Sequence, residues 1–426
     1  MITANLISKK RDGEPLNRDE LNTFFNGYLT GDVTDAQMSA MLMAIYFNGM
    51  NEAETFTMVE VMLDSGSRMD FSDSEQYVAD KHSTGGVGDK VSIILAPVLA
   101  AVGIKIPMIA GRGLGYTGGT IDKLKSIPGF NTSPNLKQFK KWVNQSGYAI
   151  IAQSKNICTA DKKIYSLRSK TGTIPSTPLI CSSIMSKKIA EGISGLVLDI
   201  KVGNGTFMKT KENGQNLGDW LKKIGSAFNI KTDVVYSNMN QPLGRYAGLS
   251  CEIQESIDCL KGKGPSDLIK ITLELGSHLL IQSKLAKDKK TAYKILEEII
   301  DNGKALKTFI SSVEIQGGIL NNFELNNKPK FEKIINIDRE GVIANMDTES
   351  IGWSLVQLGC VAQKKGEKLD FTAGIEFYKK TGENVNKNDP IFRVFGARKK
   401  QVEYAGGILK SAVKVRNEYQ HIPLIL

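Results

Sequence analysis

The chain has 426 residues, of which 41% are hydrophobic and 23% are charged, and it carries a net charge of +10. This length fits about two domains with a large core, and the composition excludes a mostly disordered or fibrous protein. The longest apolar stretch, residues 93–104, contains Pro97 and is shorter than the roughly 18 residues of a membrane span. We therefore expect no membrane association.

The first residues and the cysteines bear on cellular location. Residues 1–13 lack the charged-then-apolar order of a secretory signal, since their cationic residues follow a short apolar run. The five cysteines are scattered and never spaced as CxxC, which argues against a disulfide framework and a zinc site. These features predict a cytoplasmic protein with buried, reduced thiols.

The positive charge is distributed along the whole chain rather than concentrated in one arm. Nucleic-acid-binding proteins usually cluster their cations on one face or beside stacking aromatic residues. The pattern favours small anionic substrates and a solvated basic surface, with no nucleic-acid partner.

Three helices are predicted within the first 65 residues, and no strand interrupts them. The middle helix has an apolar face that includes Met38, Met41, Leu42 and Ile45, and Met50 and Met58 extend the apolar surface, as core or dimer packing. Each helix is preceded by a capping box: Asn17 with Glu20, Thr34 with Gln37, and Asn51 with Glu54.

Strands and helices alternate from residue 77 onward, which is typical of an α/β domain. A strand at 77–82 precedes a glycine loop, a helix over 89–102 and a second strand at 104–109. Later strands are predicted at 148–152, 195–202 and 233–237, and helices without a strand at 161–168 and 178–192. Short β segments follow residue 327, at 332–337, 341–344, 370–373 and 390–395.

We therefore predict a discontinuous all-helical domain and a larger α/β domain with a mostly parallel sheet and a C-terminal α+β subregion. The helical domain comprises 1–66 and 161–192. The α/β domain comprises 76–155 and 195–330, and the subregion 331–426.

Nine of the 41 glycines lie within residues 85–119, where an even spread would place about three. Glycine loops between a strand and a helix let backbone N–H groups approach an anion. The first loop is Gly-Gly-Val-Gly at 85–88, and Lys81, Ser83 and Ser92 on either side of it can meet one phosphate. The spacing fits neither a P-loop nor a dinucleotide fingerprint. A second loop, 111–119, follows the next strand, so both loops should face one crevice.

Two residue pairs downstream share helix faces. Tyr165 and Arg168 are three apart, and Ser183 and Lys187 are four apart. From spacing alone, a solvated basic helix is the more ordinary interpretation of these residues.

The second loop, Gly-Arg-Gly-Leu-Gly-Tyr-Thr-Gly-Gly-Thr-Ile-Asp-Lys at 111–123, resembles the hallmark of thymidine and pyrimidine-nucleoside phosphorylases. The resemblance extends through 81–89, 190–192, 199–203 and 239–245, and covers about residues 15–400. It implies reversible phosphorolysis of thymidine to thymine and 2-deoxy-α-D-ribose 1-phosphate. It also implies inorganic phosphate as co-substrate, no cofactor, and a homodimer formed through the helical domain.

The resemblance also implies roles for individual residues. The phosphate ligands would be Lys81, Ser83, Ser92 and Thr120. The catalytic residues would be His82, Arg168 and Lys187, with Tyr165, Ser183 and Leu114 contacting the substrate.

The chain departs from the family pattern at several positions. Ala110 replaces a serine that touches phosphate, Tyr116 replaces a histidine, and Ser169-Lys170 replace an acidic and an apolar residue. Members that accept uridine tend to carry lysine at the position of Met108, so we expect 2′-deoxy substrates. Lys90 replaces a hydroxyl beside a bound potassium ion in some members, so we expect no required metal.

The phosphate loops and the pyrimidine residues lie in different predicted domains, so domain closure is expected to assemble the site. Hinges are expected near 66–76, 153–160 and 192–195. Three alternatives remain: a broader pyrimidine-nucleoside phosphorylase that accepts uridine, a Mg²⁺-dependent enzyme like anthranilate phosphoribosyltransferase, and a nucleoside- or nucleic-acid-binding protein.

Overall fold

The structure is a computed structural model, and it describes residues 2–113, 115–154, 156–364 and 366–426. The chain forms two compact units. The helical unit comprises residues 1–74, 153–194 and 216–232, and the α/β unit comprises 75–152, 195–215 and 233–426.

The helices and strands are numbered in chain order. The helices are α1 Thr3–Arg11, α2 Arg18–Thr30, α3 Asp35–Asn48, α4 Glu52–Asp64, α5 Val91–Val102, α6 Thr120–Leu124, α7 Leu136–Ser146, α8 Thr159–Thr171, α9 Thr177–Ala190, α10 Lys211–Ala227, α11 Ser250–Leu260, α12 Ser266–Gln282, α13 Lys289–Asp301, α14 Lys304–Ile315, α15 Phe323–Asn326, α16 Thr348–Leu358 and α17 Lys399–Leu409. The strands are β1 Ala79–Ser83, β2 Ile106–Ala110, β3 Tyr148–Ala152, β4 Gly195–Val202, β5 Lys231–Asn238, β6 Tyr246–Gly248, β7 Phe331–Asn336, β8 Gly341–Met346, β9 Gly374–Phe377, β10 Asn384–Val385, β11 Pro390–Gly396 and β12 Val413–Arg416.

The three predicted N-terminal helices are confirmed as α2, α3 and α4, each with both hydrogen bonds of its capping box. A further helix, α1, precedes them; it has no side-chain cap, so its start carries little signal in the sequence. The apolar face of α3 is buried in the core of the helical unit together with Phe24, Phe25 and Leu179. Met50 and Met58 belong to the same core.

The α/β unit contains a parallel sheet that positions both glycine loops. β1 pairs with β4 and β2 pairs with β3, in parallel, and a parallel bridge between Val78 and Lys105 joins β1 to β2. β5 is the neighbour of β4, so the strand order is β3-β2-β1-β4-β5. None of the helices in the described part of the chain has the length and hydropathy that a membrane span requires.

The C-terminal region is α+β, as predicted, with its own apolar core. One sheet has the order β6-β9-β11-β7 and another β10-β8-β12. The strand predicted at 370–373 is wrong. Asp370 forms a turn there, accepting hydrogen bonds from the backbone N–H and hydroxyl of Thr372, and the strand begins at Gly374.

The compact units differ from the predicted domain bounds in one large segment. Residues 216–232, most of α10 and the start of β5, belong to the helical unit, whereas the sequence analysis included them in 195–330. Alternation of strands and helices identifies a connecting helix but does not determine which body that helix packs on.

Glu54 connects three segments of the helical unit, and its removal should destabilise this unit. The carboxylate accepts hydrogen bonds from Lys10 Nζ at 2.8 Å and from the backbone N–H of Leu16 at 2.9 Å and Asn51 at 2.8 Å. Because Glu54→Ala leaves the buried Lys10 charge unpaired, we expect unfolding to be easier by about 3–5 kcal/mol. Urea denaturation followed by circular dichroism measures this change.

Glu52→Ala is the matched control on the same helix. Glu52 forms an ion pair with Lys223 in which both side chains are more than half exposed, so its loss should change stability by less than about 1 kcal/mol. Equal effects of the two substitutions would contradict the role given to Glu54.

Candidate active site

The two glycine-rich loops are in contact at one edge of the parallel sheet. They follow β1 and β2, which are parallel neighbours, so both loops leave the sheet at the carboxyl ends of their strands. Lys123 Nζ, on α6 after the second loop, donates a hydrogen bond to the carbonyl oxygen of Asp89 in the first loop at 2.6 Å. A Cβ atom on Gly85 would lie 3.8 Å from Thr117 Oγ1. The predicted proximity of the loops is therefore present.

Lys81 and Ser92 meet at this edge, as predicted for phosphate ligands. Lys81 is 2% exposed, and its Nζ donates a hydrogen bond to Ser92 Oγ at 3.3 Å. Ser92 lies in the first turn of α5, where backbone N–H groups lack helical partners. Ser83 Oγ accepts a hydrogen bond from the backbone N–H of Gly85 at 3.2 Å. An ammonium, a hydroxyl and a helix start thus lie together, and each of these groups can interact favourably with an anion.

A buried charge network lies behind Lys81. Asp89 is 3.9 Å from Lys81 Nζ and 4.0 Å from Lys201 Nζ, and Lys201 forms a close ion pair with Asp199 at 2.6 Å. Burial alone would raise the pKa of Asp89, but the charges of Lys201 and Lys81 outweigh it and hold this pKa far below its ordinary value. Burial lowers the pKa of Lys81. Lys201 thus has a carboxylate at ion-pair distance, whereas the carboxylate of Asp89 lies 3.9 Å from the ammonium of Lys81.

A second lysine is enclosed by oxygen atoms beside the first loop. Lys90 Nζ donates hydrogen bonds to the carbonyl oxygens of Leu243 at 3.0 Å and Tyr246 at 2.8 Å, and to Glu255 Oε2 at 2.5 Å. Burial alone would lower the pKa of Lys90, but Glu255 and Glu252 raise it above its ordinary value. Lys90 is therefore a permanent cation that fixes the start of α5.

Two other predicted residues of the α/β unit lie on β1 and at the start of α6. His82 lies in β1 opposite Leu198 of β4. Thr120 is the first residue of α6 and is half-buried. Leu114 lies outside the described residues.

Two positions that bear on substrate preference, Tyr116, which departs from the family pattern, and Met108, are part of apolar cores. Tyr116 is buried in the C-terminal core, with its ring centroid 5.8 Å from that of Trp353 and 6.3 Å from that of Phe207. Burial raises the pKa of Tyr116 to about 12. Met108 is 2% exposed in the core of the α/β unit. Tyr116 therefore anchors the second loop to the C-terminal region by packing.

In the helical unit, α8 and α9 bring Lys187, Ser183 and Asp161 together. Lys187 Nζ donates hydrogen bonds to Asp161 Oδ2 at 2.7 Å and Ser183 Oγ at 2.9 Å. Gln153 Nε2 also donates to Asp161 Oδ2, at 3.2 Å. Asp161 thus orients the ammonium of Lys187, which keeps part of its surface accessible.

Arg168 is buried, with its guanidinium directed at backbone carbonyl oxygens. Its Nη2 donates to Ile174 at 2.7 Å, its Nη1 to Leu179 at 3.0 Å and its Nε to Thr173 at 3.4 Å. The ring of Tyr165 lies 5.6 Å from the guanidinium carbon. Burial lowers the pKa of Arg168 to about 10, so the side chain remains charged at neutral pH.

The helical unit therefore contains two cations, Arg168 and Lys187. Among its described residues, Asp161 is the one carboxylate that forms an ion pair with either of them, and its partner is Lys187. The remaining N–H groups of Arg168 and Lys187 suit a ligand with negative charge or with electron-rich carbonyl oxygens. This arrangement rules out a fully solvated basic helix, which was the ordinary interpretation of the spacing.

Several residues of these networks are absent from the site residues predicted from the sequence, among them Asp161, Asp199 and Lys201. Asp161 was included only as a helix start, and Asp199 and Lys201 only as part of a family motif. One signal was available: Asp199 and Lys201 are two apart in the otherwise apolar strand β4 and so lie on one face of it. Charged residues in a buried strand need partners, and they mark a polar site at its carboxyl end.

Comparison with known proteins identifies the class of this fold and site. The glycosyl transferase family matches in two parts, its a/b domain at residues 75–306 and its helical bundle domain at residues 4–66. The pyrimidine nucleoside phosphorylase C-terminal domain matches residues 342–416. A solved anthranilate phosphoribosyltransferase from Thermus thermophilus has the same fold, with a TM-score of 0.58 and 16% identity over 73% of this chain and 99% of that one.

Curated relatives narrow the class further. The pyrimidine-nucleoside phosphorylase of Staphylococcus haemolyticus is 42% identical over 93% of both chains, and that of Staphylococcus aureus strain MSSA476 is 41% identical over the same share. The chain belongs to the pyrimidine-nucleoside phosphorylase family.

Lys81→Met should weaken binding of inorganic phosphate to the purified chain. Loss of one charge-assisted hydrogen bond corresponds to a decrease of about 10- to 150-fold in affinity. Because burial lowers the pKa of Lys81, affinity for phosphate should also fall as the pH rises through this lowered value, before an ordinary lysine would lose its charge. Isothermal titration calorimetry across pH measures both effects.

Lys105→Met is the control, since Lys105 lies at the opposite end of β2 and its Nζ donates to Asn144 on the surface. An unchanged phosphate affinity in Lys81→Met would contradict the assignment of Lys81 as a phosphate ligand.

Proposed function

We propose that the chain catalyses reversible phosphorolysis of pyrimidine nucleosides and prefers thymidine, giving thymine and 2-deoxy-α-D-ribose 1-phosphate. The observation that carries this proposal is the pair of complementary cationic sites. Lys81 and Ser92 offer a phosphate site on the α/β unit, and Arg168 and Lys187 offer cations for a pyrimidine on the helical unit. The predicted domain closure stays a prediction.

In this reaction, phosphate is the nucleophile and the protein supplies charge stabilisation. A phosphate oxygen forms a bond to C1′ of the sugar while the bond from C1′ to N1 of the base breaks, and its electron pair passes to the pyrimidine. Lys187 and Arg168 stabilise the charge that develops on the base, and His82 donates a hydrogen bond or proton to a carbonyl oxygen. Attack opposite the base inverts C1′ and gives the α-anomer.

The preference for deoxynucleosides is argued from Met108. This side chain is apolar and buried, so it offers no donor for a ribose 2′-hydroxyl. A cleft built to bind a hydroxyl discriminates more strongly than an apolar one, so we expect uridine to be a slower substrate rather than an excluded one.

We further propose that the reaction requires no metal. Lys90 places an ammonium among two carbonyl oxygens and a carboxylate, where its charge already satisfies the oxygens that a monovalent cation would need. The predicted cytoplasmic location stays a prediction as well.

The test is release of thymine from thymidine by the purified chain, followed by absorbance, with and without inorganic phosphate. We expect release only with phosphate, at the same rate with EDTA and in sodium or potassium buffers. Lys187→Ala and Arg168→Ala should each lower kcat by about 10²-fold or more, because each removes a preorganised donor. Lys170→Ala, an exposed neighbour on α8, is the control.

Other outcomes would select other functions. Cleavage that needs Mg²⁺ and produces or consumes a phosphoribosyl pyrophosphate would identify a phosphoribosyltransferase. Binding of thymidine without turnover would identify a binding protein. Near wild-type rates in Lys187→Ala would contradict the assignment of the pyrimidine site.

We also propose a homodimer formed through α3. Its outer face carries Met43, Tyr46 and Phe47, and Phe47 is 76% exposed, an unusual exposure for adjacent large apolar side chains. Light scattering should give the mass of a dimer, and Phe47→Glu should shift it towards the monomer. Ile319→Glu, at an exposed position of the α/β unit, should leave the mass unchanged. A monomeric wild-type chain would contradict this proposal.

A further inference from the structure

The turn at residues 242–246 packs against the first glycine-rich loop. The backbone N–H of Leu243 donates to the carbonyl oxygen of Val87 at 3.0 Å. Gly88 has a φ of +76°, and a Cβ there would lie 2.4 Å from the carbonyl oxygen of Leu243. The loop and the turn are therefore in such close contact that a displacement of one requires a displacement of the other.

All five carbonyl oxygens of this turn accept hydrogen bonds. Lys90 Nζ contacts those of Leu243 and Tyr246, and the backbone N–H of Phe377 donates to that of Arg245 at 2.8 Å. The other two belong to Pro242 and Gly244, and they accept from a second lysine.

That second lysine is Lys380, in the segment between β9 and β10. Its Nζ donates to the carbonyl oxygens of Pro242 at 2.6 Å and Gly244 at 3.1 Å, and to Asp267 Oδ2 at 2.5 Å. The side chain is 7% exposed. Asp267 completes the arrangement by accepting from the backbone N–H of Gly244 at 3.1 Å.

The turn is therefore held from two sides by two ammonium groups. Lys90 comes from the start of α5, next to the phosphate site, and Lys380 comes from the C-terminal region. Gly244 has a φ of +76°, and a Cβ on it would lie 2.8 Å from Lys90 Nζ, so the turn fits closely between the two lysines.

We propose that Lys380 is a positioning residue for phosphate: it fixes the turn at 242–246, and through it Gly88 and Lys90, so that Lys81 and Ser92 keep their phosphate-binding geometry. This role rests on the proposed function. Lys380 itself contacts no substrate. A displacement of about 1 Å in a binding group can cost up to about 10²-fold in rate, so the effect should be measurable.

The test compares Lys380→Met with Lys379→Met in the full chain. Lys379 is the adjacent residue, and its Nζ contacts the carbonyl oxygen of Asn384 on the surface. Lys380→Met should weaken binding of inorganic phosphate about 10- to 100-fold by calorimetry, with the KM for thymidine changed by less than about twofold. Lys379→Met should behave as wild type.

Lys380→Met also leaves the half-buried carboxylate of Asp267 without its cation, which can impair folding. The double variant Lys380→Met with Asp267→Asn removes this charge and should still bind phosphate weakly. Thr381→Val, which removes the hydrogen bond from Thr381 Oγ1 to Gln241 Oε1 at 2.7 Å, is a milder change at the same contact and should act in the same direction.

Three results would overturn the role of Lys380. A folded variant with wild-type phosphate affinity would contradict it directly. A rise in the KM for thymidine as large as the loss of phosphate affinity would indicate a general structural role. A wild-type chain that binds no phosphate would contradict the proposed function and this inference together, whereas the first two results leave the proposed function intact.

Discussion

The pairing of buried charges at the carboxyl ends of β1 and β4 is the constraint on which the α/β unit depends. Asp199 and Lys201 are buried and the side chain of Asp89 is largely withdrawn from water, and each charge would be costly to bury without a partner. Their mutual contacts leave Lys81 with a carboxylate at 3.9 Å and a hydroxyl at 3.3 Å. An anion that reached Lys81 would compete with a carboxylate that lies 3.9 Å away rather than with a close ion pair, which is consistent with the proposed role of Lys81 as a phosphate ligand.

The sequence predicted the features that local physical chemistry determines. The capping boxes before α2, α3 and α4 were identified because each depends on two side chains three residues apart. The strands β3 and β4 were predicted with their observed bounds, since β3 is a continuous apolar run and β4 is an apolar run that contains only Asp199 and Lys201 as charged residues. The pairing of Ser183 with Lys187 followed from their spacing of four on one helix.

Features that depend on tertiary partners could not be predicted in this way. Lys187 contacts Asp161, which is 26 residues away on another helix, and Lys90 contacts Glu255, 165 residues away. No periodicity relates such positions. The strand expected at 370–373 failed for a local reason, since side-chain hydrogen bonds of Asp370 compete with strand formation.

Lysine is suited to these contacts because the backbone around the site presents carbonyl oxygens that need hydrogen-bond donors. The loops around the proposed phosphate site are rich in glycine, so apolar contacts such as those of Val87 and Tyr116 fix only part of their length. Their buried carbonyl oxygens nevertheless need donors. The flexible stem and three N–H groups of a lysine allow Lys90 and Lys380 each to contact two carbonyl oxygens and one carboxylate. Such contacts add little net stability, but they restrict the turn to positions in which all of these oxygen atoms have donors, and in our proposal that restriction maintains the geometry of the phosphate site.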